Sequence, residues 1–170
     1  MIEWSEQHLM IRDAVRKFIE AEIKPRLEDL EHGDLPPYDI LRKMMRAFGI
    51  DEVAKARFAA QIARDKAKAA GDARDKPARE RGEGDSDGIG MTLIPIIELC
   101  RYCPGMVTAM GVSVGLTAAA IMSKGTLAQK ERWALPLLTM DAIGAWAITE
   151  PDSGSDAFGG MKATARRDGD

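Results

Sequence analysis

The sequence predicts a mainly α-helical domain over residues 1–140, followed by the first strands of an incomplete, truncated β domain over residues 141–170. Apolar residues recur at three- and four-residue spacing through most of the first part, which is typical of amphipathic helices. The pattern changes after Asp141, where a run rich in β-forming residues stops at Pro151. A chain of 170 residues is long enough for one domain with a substantial core and short for two complete ones.

Two core-facing helices are expected before residue 50. Ser5 is a suitable N-cap for the first helix, which Pro25 should bend or end. Its apolar face consists of Ile11, Ala14, Val15, Phe18 and Ile23. The second helix follows the turn GDLPPYD, and Gly49 is a plausible C-terminal stop. Its apolar face consists of Ile40, Leu41, Met44, Met45 and Phe48.

Residues 51–88 form a charged insertion with nine acidic and nine basic residues. The first half is rich in alanine, lysine and arginine and therefore favours a helix. The second half, GDARDKPARERGEGDSDG, combines glycine, proline and charge without periodicity and is expected to be mobile. A lid or docking surface is one interpretation, but a charge-balanced run is more often a solvated surface.

A long apolar region follows the charged insertion. Periodicity resumes at Ile89, and Pro95 is expected near the start of that helix. Residues 102–123 carry no charge, a length that could span a bilayer. Glycine, hydroxyl residues and alanine make the stretch only mildly hydrophobic, so we expect it at the centre of a helical bundle and not in a membrane. Thr126 is a candidate N-cap for a last helix. The apolar residues of that helix are Leu127, Trp133, Leu137 and Leu138.

Composition argues against several classes of function. A net charge of -3 with interspersed signs indicates neither a nucleic-acid partner nor an anionic membrane. The polar start and the presence of only two cysteines favour a reducing cytoplasm without disulfides. Cys100 and Cys103 form one CxxC, but zinc needs four ligands, so we expect buried structural thiols and no metal site. His8 and His32 are expected at the surface.

The junction after residue 142 carries the clearest chemical pattern. Residues 143–149 predict a buried strand, and MKATARR predicts a second strand that leads into the turn at 168–170. Between them Gly154 can take a positive φ, and successive N–H groups could bind a phosphate or pyrophosphate. On the residues alone, an ordinary turn with Asp156 capping its N–H groups is the favoured alternative.

The segment AITEPDSGSDAFG, residues 147–159, closely resembles the signature of acyl-CoA dehydrogenases, flavoenzymes that introduce an α,β double bond into acyl-CoA thioesters. EQHLMIRDAVRKFIEAEIKP resembles the first helix of that family, LPPYDILRKMMRAFGI the second, and GTLAQKERWALPLLTMDAIGAWAITEP the approach to the flavin. The resemblance covers nearly the whole chain. It implies the family's N-terminal helical bundle, the start of its middle β domain, FAD as cofactor and a role in fatty acid β-oxidation.

The resemblance also implies residues that contact the flavin ring. Trp146 and Ile148, with Ala147 between them, would line the isoalloxazine. Thr149 would hydrogen-bond near the reactive edge of the ring. These positions make chemical sense because the protein must hold the ring where a hydride reaches it from the substrate β-carbon.

The following loop would contact the other parts of the ligands. Gly154 and Ser155 would reach the FAD pyrophosphate, and Ser155 would also touch the thioester substrate. Asp152 stands where many family members have glycine and adds negative charge there. The resemblance makes Glu150 a structural acid, and the catalytic base a glutamate of a C-terminal helical domain that this sequence lacks. No catalytic residue is therefore expected, and the isolated chain should have negligible turnover.

Two other functions remain open from the sequence. Acyl-CoA oxidases and some flavin monooxygenases share the helical-plus-β arrangement, and nothing in residues 1–170 separates them from dehydrogenases. A non-catalytic helical partner subunit is the third hypothesis, because an unpaired strand and a small-residue helix both favour a covering surface. For the complete family, the resemblance implies an acyl-CoA substrate, electron-transfer flavoprotein or a similar acceptor, and a homo- or hetero-oligomer.

Overall fold

A computed structural model of the chain describes residues 4–71 and 85–169, except for the side chains of residues 85–89 and Met91. The α-helices are α1 Glu6–Phe18, α2 Leu27–Glu31, α3 Tyr38–Ala47, α4 Ile50–Ala69, α5 Asp85–Cys100, α6 Pro104–Met110, α7 Ala119–Lys124, α8 Leu127–Gln129, α9 Leu135–Leu138 and α10 Ala157–Gly160. Three π-helical segments interrupt them: π1 Ile19–Ile23, π2 Gly111–Ala118 and π3 Lys130–Ala134. The mainly α-helical class is confirmed.

The two predicted N-terminal helices form with the expected boundaries. The Ser5 hydroxyl accepts a hydrogen bond from His8 N–H at 3.3 Å, and the His8 side chain accepts from Ser5 N–H, so both ends of a capping box are present. π1 ends at Ile23, and Pro25 lies in the 3₁₀ turn that follows, so the first helix ends close to Pro25 as expected. Gly49 adopts φ 65°, a conformation that glycine favours, and it ends α3 directly before α4 begins.

The core lies where α1, π1 and α3 meet the later helices. α1 packs along α5, and α3 packs against α6. The buried apolar residues of this core are Val15, Ile19, Ile23, Ile40, Leu41, Met44, Met45, Leu99, Cys103, Met106 and Met140. Almost every residue predicted for the two apolar faces is buried or packed against this cluster, whereas Ala14 is exposed.

The first half of the charged insertion is helical, as predicted. α4 buries Ile62 and is attached to π3 by ion pairs. Lys130 Nζ lies 2.7 Å from an Asp65 carboxylate oxygen, and Lys66 Nζ lies 2.7 Å from a Glu131 oxygen. The predicted mobile half falls mostly on residues 72–84, outside the described residues. Residues 85–88 already belong to α5, so the lack of periodicity there was misleading.

Pro95 lies inside α5, and the prediction that it marks the helix start is wrong. Proline removes one N–H donor and bends a helix, but the preceding residues can still be helical.

The predicted central position of the uncharged stretch is also wrong. α6, π2 and α7 form one continuous helical stretch, Pro104–Lys124. Only 17% of its most apolar 18-residue window is buried. Ser113 and Ala118 are fully buried, but Leu116 is 47% exposed. The exposed positions Thr108, Gly111, Gly115 and Ala119 recur at three- and four-residue spacing, so one face of the stretch is open in the described part of the chain. Within the described ranges this is the one helix long and apolar enough to span a membrane, which is weak evidence for a span.

The helix predicted after Thr126 begins at Leu127, and the Thr126 hydroxyl accepts from Gln129 N–H in a second capping box. It ends after Leu138, where Met140 takes φ 60° and is fully buried. The Met140 carbonyl accepts a hydrogen bond from the Arg42 guanidinium at 2.9 Å. This hydrogen bond attaches the turn at Met140, which precedes residues 141–169, to α3.

The two predicted strands do not form β ladders in the described part of the chain. Residues 143–149 are mostly exposed, and Ile148 N–H donates to the Trp146 carbonyl at 3.0 Å, a three-residue turn. Residues 161–167 are exposed and irregular. Among the residues that the structure describes, one isolated β-bridge is present, between Glu150 and Ser153. A strand is stabilised by hydrogen bonds to a neighbouring strand, and no described segment lies alongside either run.

Candidate functional site

Residues 144 and 145, which precede the candidate site in the chain, are hydrogen-bonded to π2. Ser113 accepts a hydrogen bond from Gly144 N–H at 3.0 Å and donates to the Gly144 carbonyl at 3.3 Å. Thr117 donates to the Ala145 carbonyl at 3.4 Å. These contacts attach the chain to the helical domain directly before Trp146.

The four residues implied for the flavin ring follow each other in an open segment. Trp146 is 44% exposed, Ala147 and Thr149 are exposed, and Ile148 is half-buried. The Thr149 hydroxyl has no hydrogen-bond partner among the described residues. An aromatic face and a free hydroxyl are therefore both accessible to a planar ligand.

The loop after Thr149 closes through its own backbone. Glu150 N–H donates to the Ser153 carbonyl at 2.9 Å, and Ser153 N–H donates back at 3.1 Å. The buried Ser153 hydroxyl donates to the Asp156 carbonyl at 2.7 Å. Asp156 caps α10, accepting from Gly159 N–H at 3.1 Å. Gly154, which can take a positive φ, does not do so here.

The Glu150 carboxylate accepts hydrogen bonds from the backbone. One carboxylate oxygen accepts from Lys162 N–H and the other from Ala163 N–H, each at 2.8 Å. Its two oxygens thus hold the chain after α10 against the loop. This arrangement agrees with the structural role expected for Glu150.

Charge at the loop is partly balanced. Lys162 Nζ lies 3.5 Å from an Asp152 carboxylate oxygen, and both side chains are more than three-quarters exposed. Solvent screens such a pair, so its contribution to stability is small. The lysine nevertheless offsets the extra negative charge that Asp152 brings to the loop.

Gly154 and Ser155 offer unused donors. Within the described ranges, neither backbone N–H donates to an acceptor, and the Ser155 hydroxyl has no partner. A side chain added at Gly154 would meet nothing within 4 Å. N–H groups of this kind bind phosphate oxygens well, so the loop fits an anionic group such as a pyrophosphate.

Sequence reasoning missed a cleft that is remote in sequence from this loop. It has a volume of about 160 Å³ and lies between α1 and α5. Its floor holds the buried Glu98, and the Arg16 guanidinium donates to both Glu98 oxygens at 2.9 Å. The four-residue spacing of His8, Arg12 and Arg16 on one helix was the available signal. The lining residues are Trp4, His8, Arg12, Arg16, Ile94, Ile97, Glu98 and Arg101.

His8 is buried, and the expectation of a surface position was wrong. Gly90 lets α5 approach the imidazole closely, since a side chain there would lie 2.5 Å from His8 Nε2. Cys103 is buried as expected, but Cys100 is exposed. The described residues contain no cluster of three or more histidine, cysteine or acidic side chains suited to a metal ion.

Comparison with known proteins decides the family. The model of the acyl-CoA dehydrogenase N-terminal domain matches residues 5–54 and 50–141, which is most of the chain. The chain belongs to the acyl-CoA dehydrogenase family. The two matched stretches meet at the start of α4, and the candidate loop lies beyond the second one.

Two of the following relatives align with nearly the whole chain, and therefore with that loop as well. The mitochondrial short-chain specific acyl-CoA dehydrogenase of Mus musculus is 30% identical over 169 residues, 99% of this chain and 35% of the relative. The short-chain specific enzyme of Megasphaera elsdenii is 34% identical over 88 residues, 51% of this chain and 23% of the relative. A 3-(aryl)acrylate reductase of Clostridium sporogenes is 28% identical over 98% of this chain and 38% of its own length.

The chain therefore spans about a third of the length of these relatives. No solved structure matches the chain.

Proposed function

We propose that this chain is the N-terminal, flavin-contacting part of an FAD-dependent acyl-CoA dehydrogenase. The observation that carries the proposal is the mostly exposed segment from Trp146 to Ser155. In it the Thr149 and Ser155 hydroxyls and the Gly154 and Ser155 N–H groups have no partners among the described residues. Unused donors beside an accessible aromatic ring suit a ligand that is both planar and anionic. The names of the similar proteins support this assignment.

In this proposal the residues divide between the two ends of the cofactor. Trp146, Ala147 and Ile148 contact the flavin ring, and Thr149 donates a hydrogen bond near its reactive edge. Gly154 and Ser155 bind the pyrophosphate region through their N–H groups. Bound FAD supplies the hydride acceptor for oxidation of the acyl chain.

Ser155 also contacts the thioester of an acyl-CoA substrate. The short-chain names of several relatives make short acyl chains the first substrates to test. For the complete enzyme we propose electron-transfer flavoprotein or a similar protein as the electron acceptor, an oligomeric state and a cytoplasmic location. The division into a helical domain, residues 1–140, and a β domain from residue 141 belongs to the same proposal.

The base that removes the substrate α-proton is proposed to lie outside the described residues. Glu150 already accepts two backbone hydrogen bonds, and Glu98 is buried against Arg16. Neither carboxylate is available to a substrate held at residues 146–155. The isolated chain is therefore expected to bind ligands without appreciable turnover.

Titration of the purified chain with FAD tests the proposal. Flavin fluorescence should be quenched on binding, and Thr149→Ala should weaken the affinity by about tenfold, the effect of losing one good hydrogen bond. Ser155→Ala retains the N–H group that is proposed to bind the pyrophosphate, so it should change FAD affinity much less. Thr108→Ala, which removes an exposed hydroxyl from α6, should leave it unchanged. Absence of FAD binding by the unmodified chain would count against the proposal.

A second candidate is reduction of an α,β-unsaturated substrate, favoured by the similarity to the 3-(aryl)acrylate reductase. The same cofactor site serves either direction, since the reverse transfer uses the same flavin atom. With a complete enzyme, flavin bleaching by acyl-CoA and reoxidation by an arylacrylate would separate the two. Reaction of the reduced flavin with oxygen would identify an oxidase.

A further inference from the structure

In the contact between π2 and residues 144–145, the buried Ser113 hydroxyl forms two hydrogen bonds with Gly144, one as donor and one as acceptor. Ser113 is fully buried, accepts from Gly144 N–H at 3.0 Å and donates to the Gly144 carbonyl at 3.3 Å. A serine hydroxyl has one donor and two acceptor sites, so both polar groups of Gly144 are satisfied by one side chain.

Thr117 extends this contact to the next residue. It lies four positions after Ser113 and therefore on the same side of the helix. Its hydroxyl donates to the Ala145 carbonyl at 3.4 Å. Both residues belong to π2, and π-helical turns inside α-helices are frequently found at functional sites.

Residues 144–149 have little other support. Within the described ranges they pair with no strand, and their one further backbone hydrogen bond joins Ile148 to Trp146. Trp146 and Thr149 are exposed. The orientation of this short segment therefore depends strongly on where Ser113 and Thr117 hold its first two residues.

We propose that Ser113, together with Thr117, is a positioning residue that fixes residues 144–145 so that Trp146 and Thr149 are presented to the flavin. The inference rests on the proposed function, because it concerns the same cofactor site. A preorganised segment loses less conformational freedom when the ligand binds, which increases affinity. A purely structural role would stabilise the fold and leave cofactor affinity unaffected.

The test uses two measurements on the 170-residue chain. Hydrogen exchange of peptides that cover residues 142–150 reports whether the segment is held, without any flavin. Titration with FAD, followed by flavin fluorescence, reports cofactor affinity. The variants are Ser113→Ala, which removes the hydroxyl, and Ser113→Cys, which fills similar space but is a weak hydrogen-bonding group. Ser123→Ala, at an exposed position of α7, is the control.

Both Ser113 variants should increase exchange at Gly144 by about tenfold and weaken FAD binding by a similar factor, as expected for a lost buried hydrogen bond. Ser123→Ala should change neither. Thr117→Val retains the shape of the side chain and removes only its donor. It should give smaller effects in the same direction, and it provides a readout if the Ser113 variants fold poorly.

Three results would overturn the inference. Unchanged exchange in Ser113→Ala would show that the serine does not hold the segment. Increased exchange with unchanged FAD affinity would reduce Ser113 to a structural role. A Ser113→Cys variant that matches the unmodified chain in both measurements would show that side-chain volume matters and not the hydrogen bonds. Failure of the unmodified chain to bind FAD would instead remove the proposed function, and with it the flavin role, while exchange still reports on the contact itself.

Discussion

A side chain at residue 144 would place its Cβ 2.7 Å from the Cβ of Thr117. Thr117 Cγ2 and Oγ1 lie 2.8 Å from the same position, so rotation of the threonine side chain does not relieve the contact. Real Cβ atoms essentially never approach other atoms this closely. Glycine at residue 144 is therefore required for the close approach of this segment to π2.

Gly144→Ala should lower the free energy of unfolding by about 1–3 kcal/mol, as overpacking does. Thr117→Gly removes all three clashing atoms and should restore part of that loss in the double variant, since a glycine in a helix itself costs about 1 kcal/mol. Gly115→Ala is the matched control, because nothing lies within 4 Å of its added Cβ. It should raise the free energy of unfolding by about 0.5–1 kcal/mol. Urea unfolding of Gly144→Ala, of the double variant and of Gly115→Ala measures these changes. Equal effects of the two single alanine substitutions would contradict the prediction.

Arg16→Met should destabilise the fold through Glu98. The Glu98 side chain is 4% exposed and forms ion pairs with both Arg16 and Arg101. The substitution removes the Arg16 pair, so the buried carboxylate keeps only the Arg101 Nε, 3.4 Å away, among these two partners. Removing one partner of a buried pair costs about 3–5 kcal/mol. Arg16 is 41% exposed and solvent screens the pair, so the loss in urea unfolding should be clearly smaller than for a fully buried pair.

Lys55→Met provides the control for that substitution, because Lys55 pairs with Glu52 at the surface of α4. It should change the free energy of unfolding by no more than about 0.5 kcal/mol. A loss of the same size in both variants would show that burial of Glu98 is not decisive.

Asp65 should make stability depend on pH in the acid range. Hydrogen bonds from Lys130 at 2.7 Å and Gln61 at 2.8 Å lower the pKa of its carboxyl. Because the pKa is lower in the folded state, the stabilisation is complete above the ordinary aspartate pKa of about 3.9 and is lost as pH falls through the lower folded value.

The difference in stability between the unmodified chain and Asp65→Asn should therefore be constant near neutrality and disappear at low pH. Chemical denaturation at a series of pH values measures this difference. A constant difference for Asp65→Asn down to the lowest pH would refute the prediction.

The two thiols should react at very different rates. Cys100 is exposed, whereas Cys103 is buried and its burial raises the pKa of the thiol to about 11. Only the thiolate is strongly nucleophilic, so at neutral pH a maleimide should modify Cys100 quickly and Cys103 only in denaturant. Mass spectrometry of the native protein should show one label, and Cys100→Ser should show none. Rapid labelling of Cys100→Ser would mean that Cys103 is accessible.

The sequence by itself determined most of the helices, because the signals that define them are local. The hydroxyl caps at Ser5 and Thr126, the stop at Gly49 and the three- and four-residue spacing of apolar residues act within one or two turns of the chain. The family signature around Thr149 and Ser155 was likewise legible, because it consists of consecutive residues. Each of these features was predicted correctly or led to the family.

Tertiary structure alone decided which surfaces meet. The run at residues 143–149 has the composition of a strand, but a strand needs a partner, and the described part of the chain supplies π2 instead. Burial of His8, exposure of Cys100 and the open face around Leu116 depend on neighbours that are distant in sequence. Local pattern cannot encode such neighbours, because burial and hydrogen-bond pairing are properties of two segments brought together and not of either one alone.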